Sequence, residues 1–309
     1  NKCKSIRPCI SCQEGCMGRV QHYSMLNCAV NPQACKERIN ALTPIIKKKK
    51  VLIVGGGVAG CEAARVLALR GHEPVLYEKN DRLGGNLIPG GAPSFKEDDI
   101  ALANWYAHTL EDLNVEVHLN SKVTKEQILG SNFDSVIIAT GSTPKVFPLG
   151  DDNKVFTAAD VLLGKKDCGN TTVIVGGGLV GCELALHLAE KGKKVTIVEA
   201  LSKILALNGP LCSANSEMLE KLIPFKGIEV KVNSKVKEYK DGFLKMETEN
   251  GIEELQCDSV ILSVGYKEEN SLYKELEFEI PEIYILGDAR KVANIMYGIW
   301  DAFEVANHI

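Results

Sequence analysis

The sequence has no apolar run long enough to cross a bilayer. Its longest greasy stretch, Val51 to Leu69, is interrupted by Gly55, Gly56, Gly57, Gly60, Glu62 and Arg65, so it reads as buried core. Neither sign of charge dominates. The 36 basic and 40 acidic side chains leave a formal net charge of −4, which gives no reason to expect nucleic acid as a partner. Low-complexity sequence is nearly missing, and 45% hydrophobic with 25% charged residues is ordinary for a globular chain. The segment Asn1 to Cys16 is polar and lacks the apolar core of a signal peptide. The expected location is therefore the cytoplasm, with no membrane as partner. In that reducing compartment the eleven cysteines point to metal binding or redox chemistry rather than to a disulfide framework. A length of 309 residues allows two ordinary domains and a small extra segment.

The cysteines are unevenly placed. Cys3, Cys9, Cys12, Cys16, Cys28 and Cys35 crowd the beginning, whereas Cys61, Cys168, Cys182, Cys212 and Cys257 are scattered. Cys9, Cys12, Cys16 and Cys28 form the candidate metal set. Four thiolates from one short segment can close around a [4Fe–4S] cluster. Zinc is the main alternative, although it commonly draws on two Cys-x2-Cys pairs and only Cys9 and Cys12 form one here. A redox dithiol at Cys9 and Cys12 is a third option that leaves Cys16 and Cys28 unexplained. Cys3 and Cys35 receive no role, and Cys61 and Cys182 read as small core residues.

One long internal repeat sets the architecture. Val51–Lys79 aligns with Thr172–Ala200 without a gap, sharing Ile-Val-Gly-Gly-Gly, then Gly-Cys-Glu, an alanine/leucine-rich helix, a glycine, and a strand ending in glutamate. Each copy reads as a βαβ unit. Short apolar strands precede helices near Val58–Leu69 and Leu179–Glu190, which Gly71 and Gly192 stop. The pattern predicts an α/β protein with two Rossmann-like dinucleotide-binding domains. Further strands are expected at Ser135–Ala139, Ser259–Ser263 and Glu282–Leu286, and strands of smaller sheets at Val115–Leu119, Ile228–Val232 and Phe243–Thr248.

Gly55-x-Gly57-x-x-Gly60 and Gly176-x-Gly178-x-x-Gly181 both match the dinucleotide fingerprint. The first glycine permits a tight turn, the second lets backbone approach a pyrophosphate, and the third lets helix and strand pack closely. The helix starts, Val58-Ala59 and Leu179-Val180, supply free N–H groups for phosphate. Glu78 and Glu199 close the next strands, where a carboxylate can accept hydrogen bonds from ribose hydroxyls. The bland alternative is a glycine-rich turn without a ligand, and strand, helix and acid occurring twice over argue against it. The charge of Glu199 would repel a 2′-phosphate, which favours NADH over NADPH, although Lys203 lies close in sequence.

After Glu78 come Lys79, then Leu83-Gly84-Gly85, later Ala139-Thr140-Gly141, and finally Gly287-Asp288. These resemble the flavin-side motifs of the glutathione-reductase-like flavoproteins. That resemblance implies FAD in the first cradle, with Val123 among its contacts and Asp288 on the ribityl chain. It implies NADH in the second cradle, with Glu183 and Gly265 alongside. The bland readings are an N-cap for Asp288 before a helix at Ala289–Asn294 and a first-turn acid for Glu183. The NADH domain is implied to be inserted in the FAD domain: 1–46 iron–sulfur segment, 47–160 and 270–309 FAD domain, 161–269 NADH domain. Disulfide reductases of that superfamily carry a cysteine pair beside the flavin, and no Cys-x2-Cys or Cys-x4-Cys pair lies in either unit.

Taken with Ile6-Arg7-Pro8-Cys9-Ile10-Ser11-Cys12-Gln13-Glu14-Gly15-Cys16 and Leu26-Asn27-Cys28-Ala29-Val30-Asn31-Pro32, the whole chain resembles the later part of the old-yellow-enzyme-type NADH:flavin oxidoreductases. These include 2-enoate reductase, 2,4-dienoyl-CoA reductase and trimethylamine dehydrogenase. The resemblance implies an NADH-dependent flavin oxidoreductase acting on CH–CH donors, with hydride passing from NADH to FAD and single electrons through the cluster to FMN. The FMN-binding barrel that begins full-length members is not in this sequence, so the chain is expected to be a fragment whose partner is its own barrel, with room for a homo-oligomer. No side chain is expected to act as a catalytic nucleophile, and the cluster is expected to be labile at the cut end. Two rival readings stand beside this: a stand-alone reductase subunit like the glutamate synthase small subunit, and a non-catalytic ADP-binding relay as in trimethylamine dehydrogenase.

Overall fold

A computed structural model of the chain describes residues 2–42, 44–206 and 212–309. It divides into two compact units. One comprises Asn1–Gly91, Lys96–Thr143 and Lys267–Ile309, the other Ala92–Phe95 and Pro144–Tyr266.

The first unit is built on a five-stranded parallel sheet in the order Ile283–Ile285, Ser135–Ile138, Lys50–Val54, Glu73–Tyr77, Glu116–His118. The central strands are near-continuous apolar runs because both faces are covered. Val51 and Ile53 face a core shared with the helices Val58–Arg70, Glu97–Asp112 and Ile295–His308. Leu52 and Val54 face the opposite side, where Ile128, Val136, Ile138 and Leu276 gather. The helix Val58–Arg70 ends on Gly71, whose φ of 106° is the left-handed cap a glycine adopts without strain.

The second unit repeats the plan. Its parallel sheet runs Val155–Thr157, Ser259–Leu262, Thr171–Val175, Lys194–Val198, Glu229–Lys231. Ile174, Ile197 and Ile261 face the helices Leu179–Glu190 and Ser213–Phe225. Val173, Val175, Val198, Val260 and Leu262 face a three-stranded antiparallel sheet, Lys235–Lys240, Phe243–Thr248 and Gly251–Gln256, through Tyr239, Leu244 and Met246.

Three expectations change here. The segments at 115–119 and 228–232 are edge strands of the two main parallel sheets rather than parts of smaller ones; only Phe243–Thr248 lies in a separate sheet. Residues 144–160 join the second unit, because Val155–Thr157 pairs in parallel with Ser259–Leu262. The stretch 289–294 is not a helix: a 3-10 turn covers Gly287–Ala289, and the last helix starts at Ile295 with the Asn294 side chain capping Tyr297 N. Among the described residues no helix is long and apolar enough to cross a membrane.

Candidate functional site

The first glycine turn is locked from several sides. A Cβ on Gly60 would stand 1.9 Å from the Gly55 carbonyl oxygen, and one on Gly55 would stand 2.3 Å from that of Ala139. Gly57, by contrast, would place a Cβ in open space. Two of the three glycines therefore serve close packing of strand, turn and helix, and the middle one faces free volume. It is also the N-cap of the helix Val58–Arg70 and makes no side-chain cap bond, so the first N–H groups, at Val58 and Ala59, are left for another acceptor.

Glu78 is pinned against this turn. Its Oε2 accepts the Gly56 N–H at 2.7 Å, and its Oε1 accepts the backbone and side-chain N–H groups of Asn80 at 2.8 and 2.6 Å. The loop after it returns over the turn: Gly84 N donates to the Gly56 carbonyl at 2.8 Å, and Gly57 and Gly84 form an isolated parallel bridge. Gly84 and Gly85 hold φ of 115° and 52°, which their lack of a Cβ allows. Leu83 is buried beside them. Lys79 is exposed, and Val123 is half-buried against the far-side core.

The second turn reproduces the first. A Cβ on Gly181 would stand 2.0 Å from the Gly176 carbonyl oxygen, and one on Gly176 2.4 Å from that of Ser263. Glu199 Oε2 accepts Gly177 N at 2.6 Å, and Oε1 accepts Leu201 N at 2.8 Å. Leu205, at a φ of 59°, donates its N–H to the Gly177 carbonyl at 2.7 Å and so covers the turn as Gly84 covers the first. Gly178 caps the helix as Gly57 does, leading into Leu179 and Val180. With two bonds already accepted, the Glu199 carboxylate keeps about two lone pairs for further donors. Glu183 is half-buried in the second turn of its helix rather than the first, so the dipole argument for it weakens. Gly265, at a φ of 92°, borders open space.

Asp288 is held by both oxygens: Oδ2 accepts the Ser142 hydroxyl at 2.8 Å and Oδ1 accepts Ala293 N at 3.0 Å. Gly287 N donates to Asp301 Oδ2 at 2.8 Å. Ala139 is buried, the Thr140 hydroxyl donates to the Glu269 carbonyl, and Gly141 holds a φ of 76°. Asp288 is thus no helix cap. Ser142, Asn80 and Asp301 were not singled out by sequence, because single polar residues in turns carry no periodic or spacing signal.

Cys9, Cys12, Cys16 and Cys28 lie within one looped segment and none is in a disulfide. Burial pushes the Cys12 thiol up, and the backbone of Glu14 partly offsets this. Charge on Cys16, Cys9 and Cys28 raises it further, so each of the three acts on Cys12. Ser11 and Gln13 hold left-handed φ of 54° and 55° between them. A Cβ on Gly15 would stand 2.7 Å from Ala29 N, so the two cysteine-bearing stretches lie against each other. Among the described residues no three His, Cys, Asp or Glu side chains converge as on a single metal ion.

Cys61 and Cys182 are buried and donate their thiols to the Gly56 and Gly177 carbonyls at 3.3 and 3.4 Å, so neither forms a flavin-side redox pair.

Two parallel sheets, each with a glycine turn and a pinned glutamate, define a dinucleotide-binding oxidoreductase. Residues 49–306 match the pyridine nucleotide-disulphide oxidoreductase family, and the chain belongs to it. It is 49% identical to a cinnamate reductase of Clostridium sporogenes over 309 residues, which is 100% of this chain and 46% of that protein. It is 38% identical to an NADH oxidase of Thermoanaerobacter brockii over 97% of this chain and 47% of that protein. Among solved structures it is similar to a 2-naphthoyl-CoA reductase in complex with 2-naphthoyl-CoA, with a TM-score of 0.91 and 28% identity over 99% of this chain and 47% of that one. The chain therefore spans about half the length of the curated relatives it matches. These relatives bear out the resemblance to the enoate-reductase type and support FAD and NAD(H) as cofactors.

Proposed function

We propose that this chain is the NADH-oxidising half of a reductase that saturates an activated carbon–carbon double bond. FAD would be held by Gly55, Gly57, Gly60, Glu78, Gly84, Gly85 and Asp288, and NADH by Gly176, Gly178, Gly181 and Glu199. The observation that carries this is the duplicated cradle: in both copies a glutamate carboxylate receives the N–H of the middle glycine of Gly-Gly-Gly and of a loop residue two positions on. That arrangement fixes an acceptor beside a helix start, which is what the ribose and pyrophosphate of a dinucleotide require. The open face at Gly57 leaves room for the phosphates.

The four N-terminal thiols suit a [4Fe–4S] cluster. Four thiolates gathered by one short segment would repel one another unless cationic iron lay among them. A flavin can take two electrons together and release them singly, which a cluster then carries onward. The residues of this chain bind and orient; none need act as acid or nucleophile. Relatives named cinnamate reductase and NADH oxidase share this half at 49% and 38% identity. The choice of electron acceptor is accordingly assigned to the other half of the full-length protein, an FMN-binding barrel.

Anaerobic addition of NADH to the purified chain tests the reading. Flavin absorbance should bleach, and anaerobic reconstitution should restore about four iron and four sulfide per chain. A chain that binds ADP but no flavin would establish the relay reading instead.

A further inference from the structure

The chain has two tryptophans, and both hold the cysteine segment by the same device. Trp105 Nε1 donates to the Ser5 carbonyl at 3.2 Å while Arg7 lies over its ring at 4.5 Å. Trp300 Nε1 donates to the carbonyl of Cys28 itself at 3.0 Å while Lys36 lies over its ring at 5.5 Å. The two differ in what stands behind them. Trp105 sits in the helix Glu97–Asp112. Trp300 sits in the last helix, and its neighbour Asp301 accepts the Gly287 N–H at 2.8 Å and pairs with Arg290 at 2.6 Å. The start of that helix is held in the same two directions: Ala293 N donates to Asp288, and Asn294 Nδ2 reaches Glu14, between Cys12 and Cys16, at 3.4 Å.

We infer that Trp300 is a positioning residue which couples occupancy of the cysteine quartet to occupancy of the Gly287–Asp288 flavin site. One rigid helix carries both contacts, so ordering Cys28 favours the placement of Asp288 and the reverse. Coupling between two sites is reciprocal, so a loaded cluster must tighten flavin binding by the same factor that flavin stabilises the cluster. This rests on the reading of the two sites given above.

The test is FAD affinity, by flavin fluorescence, of the full chain in two states: anaerobically reconstituted with ferrous iron and sulfide, and stripped with a chelator. The wild type should bind FAD roughly three- to tenfold more tightly when loaded, the scale of one net hydrogen bond. Trp300→Phe keeps the ring and loses the donor, so the ratio of its two affinities should fall toward one, with the Asn294–Glu14 contact left in place. Trp105→Phe loses the matching bond on the other tryptophan and should keep the wild-type ratio. Equal affinities in the two wild-type states overturn the inference without any variant, as does a Trp300→Phe chain that keeps the ratio or a Trp105→Phe chain that loses it. A wild-type chain that takes up no iron and sulfide, or no FAD, fails the proposed function itself and takes the inference with it.

Discussion

Arg65 grips the carboxylate of Glu62 with two donors, Nε to Oε2 at 2.9 Å and Nη2 to Oε1 at 2.7 Å, and Glu62 is 0% exposed. The pair lies in the helix that carries the first glycine turn. Tyr106 adds its hydroxyl to Oε2 at 3.0 Å, and Arg7, two residues before Cys9, approaches the same oxygen at 3.5 Å. Burial alone would lower the Arg65 guanidinium, and the charge and hydrogen bonds of Glu62 more than reverse this. The carboxylate is thus a buried node joining the first-repeat helix to the cysteine segment.

Removing one partner of such a node leaves an uncompensated charge. Glu62→Ala should destabilise the first unit by about 3–5 kcal/mol, measured by urea unfolding. Glu62→Gln keeps the shape and one acceptor and should cost less. Equal stability of Glu62→Ala and wild type would show that water reaches Arg65.

The three glycines of the first turn should separate by role. Gly60→Ala puts a methyl 1.9 Å from a carbonyl oxygen, so it should lower the melting temperature and abolish flavin retention together. Gly57→Ala meets nothing within 4 Å, at a φ of −71°. It should melt as the wild type does and yet bind FAD more weakly, measured by flavin fluorescence during titration. A Gly57→Ala chain with undiminished FAD affinity would remove the phosphates from that face.

Most of the two cradles was legible because the repeat shows the same chemistry twice. Glycine spacing, helix and terminal glutamate are local features, and the strand pairing that brings Glu78 onto Gly56 follows from a βαβ unit. What escaped reading depends on long-range contact. Glu116–His118 is a three-residue edge strand with too little alternation to show which sheet it joins. Trp300 meets Cys28 across most of the chain, and nothing in the spacing of either residue announces it. Glu62 reads by sequence as one more helix acid; its partners Arg7 and Tyr106 come from two other segments.

Among the described residues Glu199 accepts from Gly177 N and Leu201 N, which leaves lone pairs for a ribose. Glu199→Ala should weaken NADH by roughly tenfold, the scale of a charge-assisted hydrogen bond, and should narrow the preference over NADPH by removing repulsion of a 2′-phosphate. Steady-state KM values for both nucleotides decide this. An unchanged ratio would move the ribose away from Glu199.

The second unit should lose stability in alkali. Burial first, and then the Asp258 charge, push the Cys257 thiol up to about 12, and burial with Glu183 pushes Cys182 up to about 12. The fold favours the protonated form in both cases. Their contribution is therefore complete below pH 9, the ordinary thiol value, and disappears as pH rises from there toward 12. Melting temperatures followed by circular dichroism should fall through that window, and Cys182→Ala with Cys257→Ala should flatten the fall.

Thiol alkylation tests the ligand set directly. The thiolate is the reactive species, so exposure to the reagent decides the rate here. Cys9 and Cys35 are exposed, whereas Cys61 and Cys182 are buried, with their thiols pushed up first by burial. In chelator-treated chain at pH 8, iodoacetamide should label Cys9 and Cys35 early and leave Cys61 and Cys182 unmodified, as read by peptide mass spectrometry. Reconstitution with iron and sulfide should then protect Cys9, together with Cys12, Cys16 and Cys28, while Cys35 continues to react at its former rate. Protection of Cys35 in place of any of the four would reassign the fourth ligand, and labelling of Cys9 in a fully loaded chain would exclude it from the cluster.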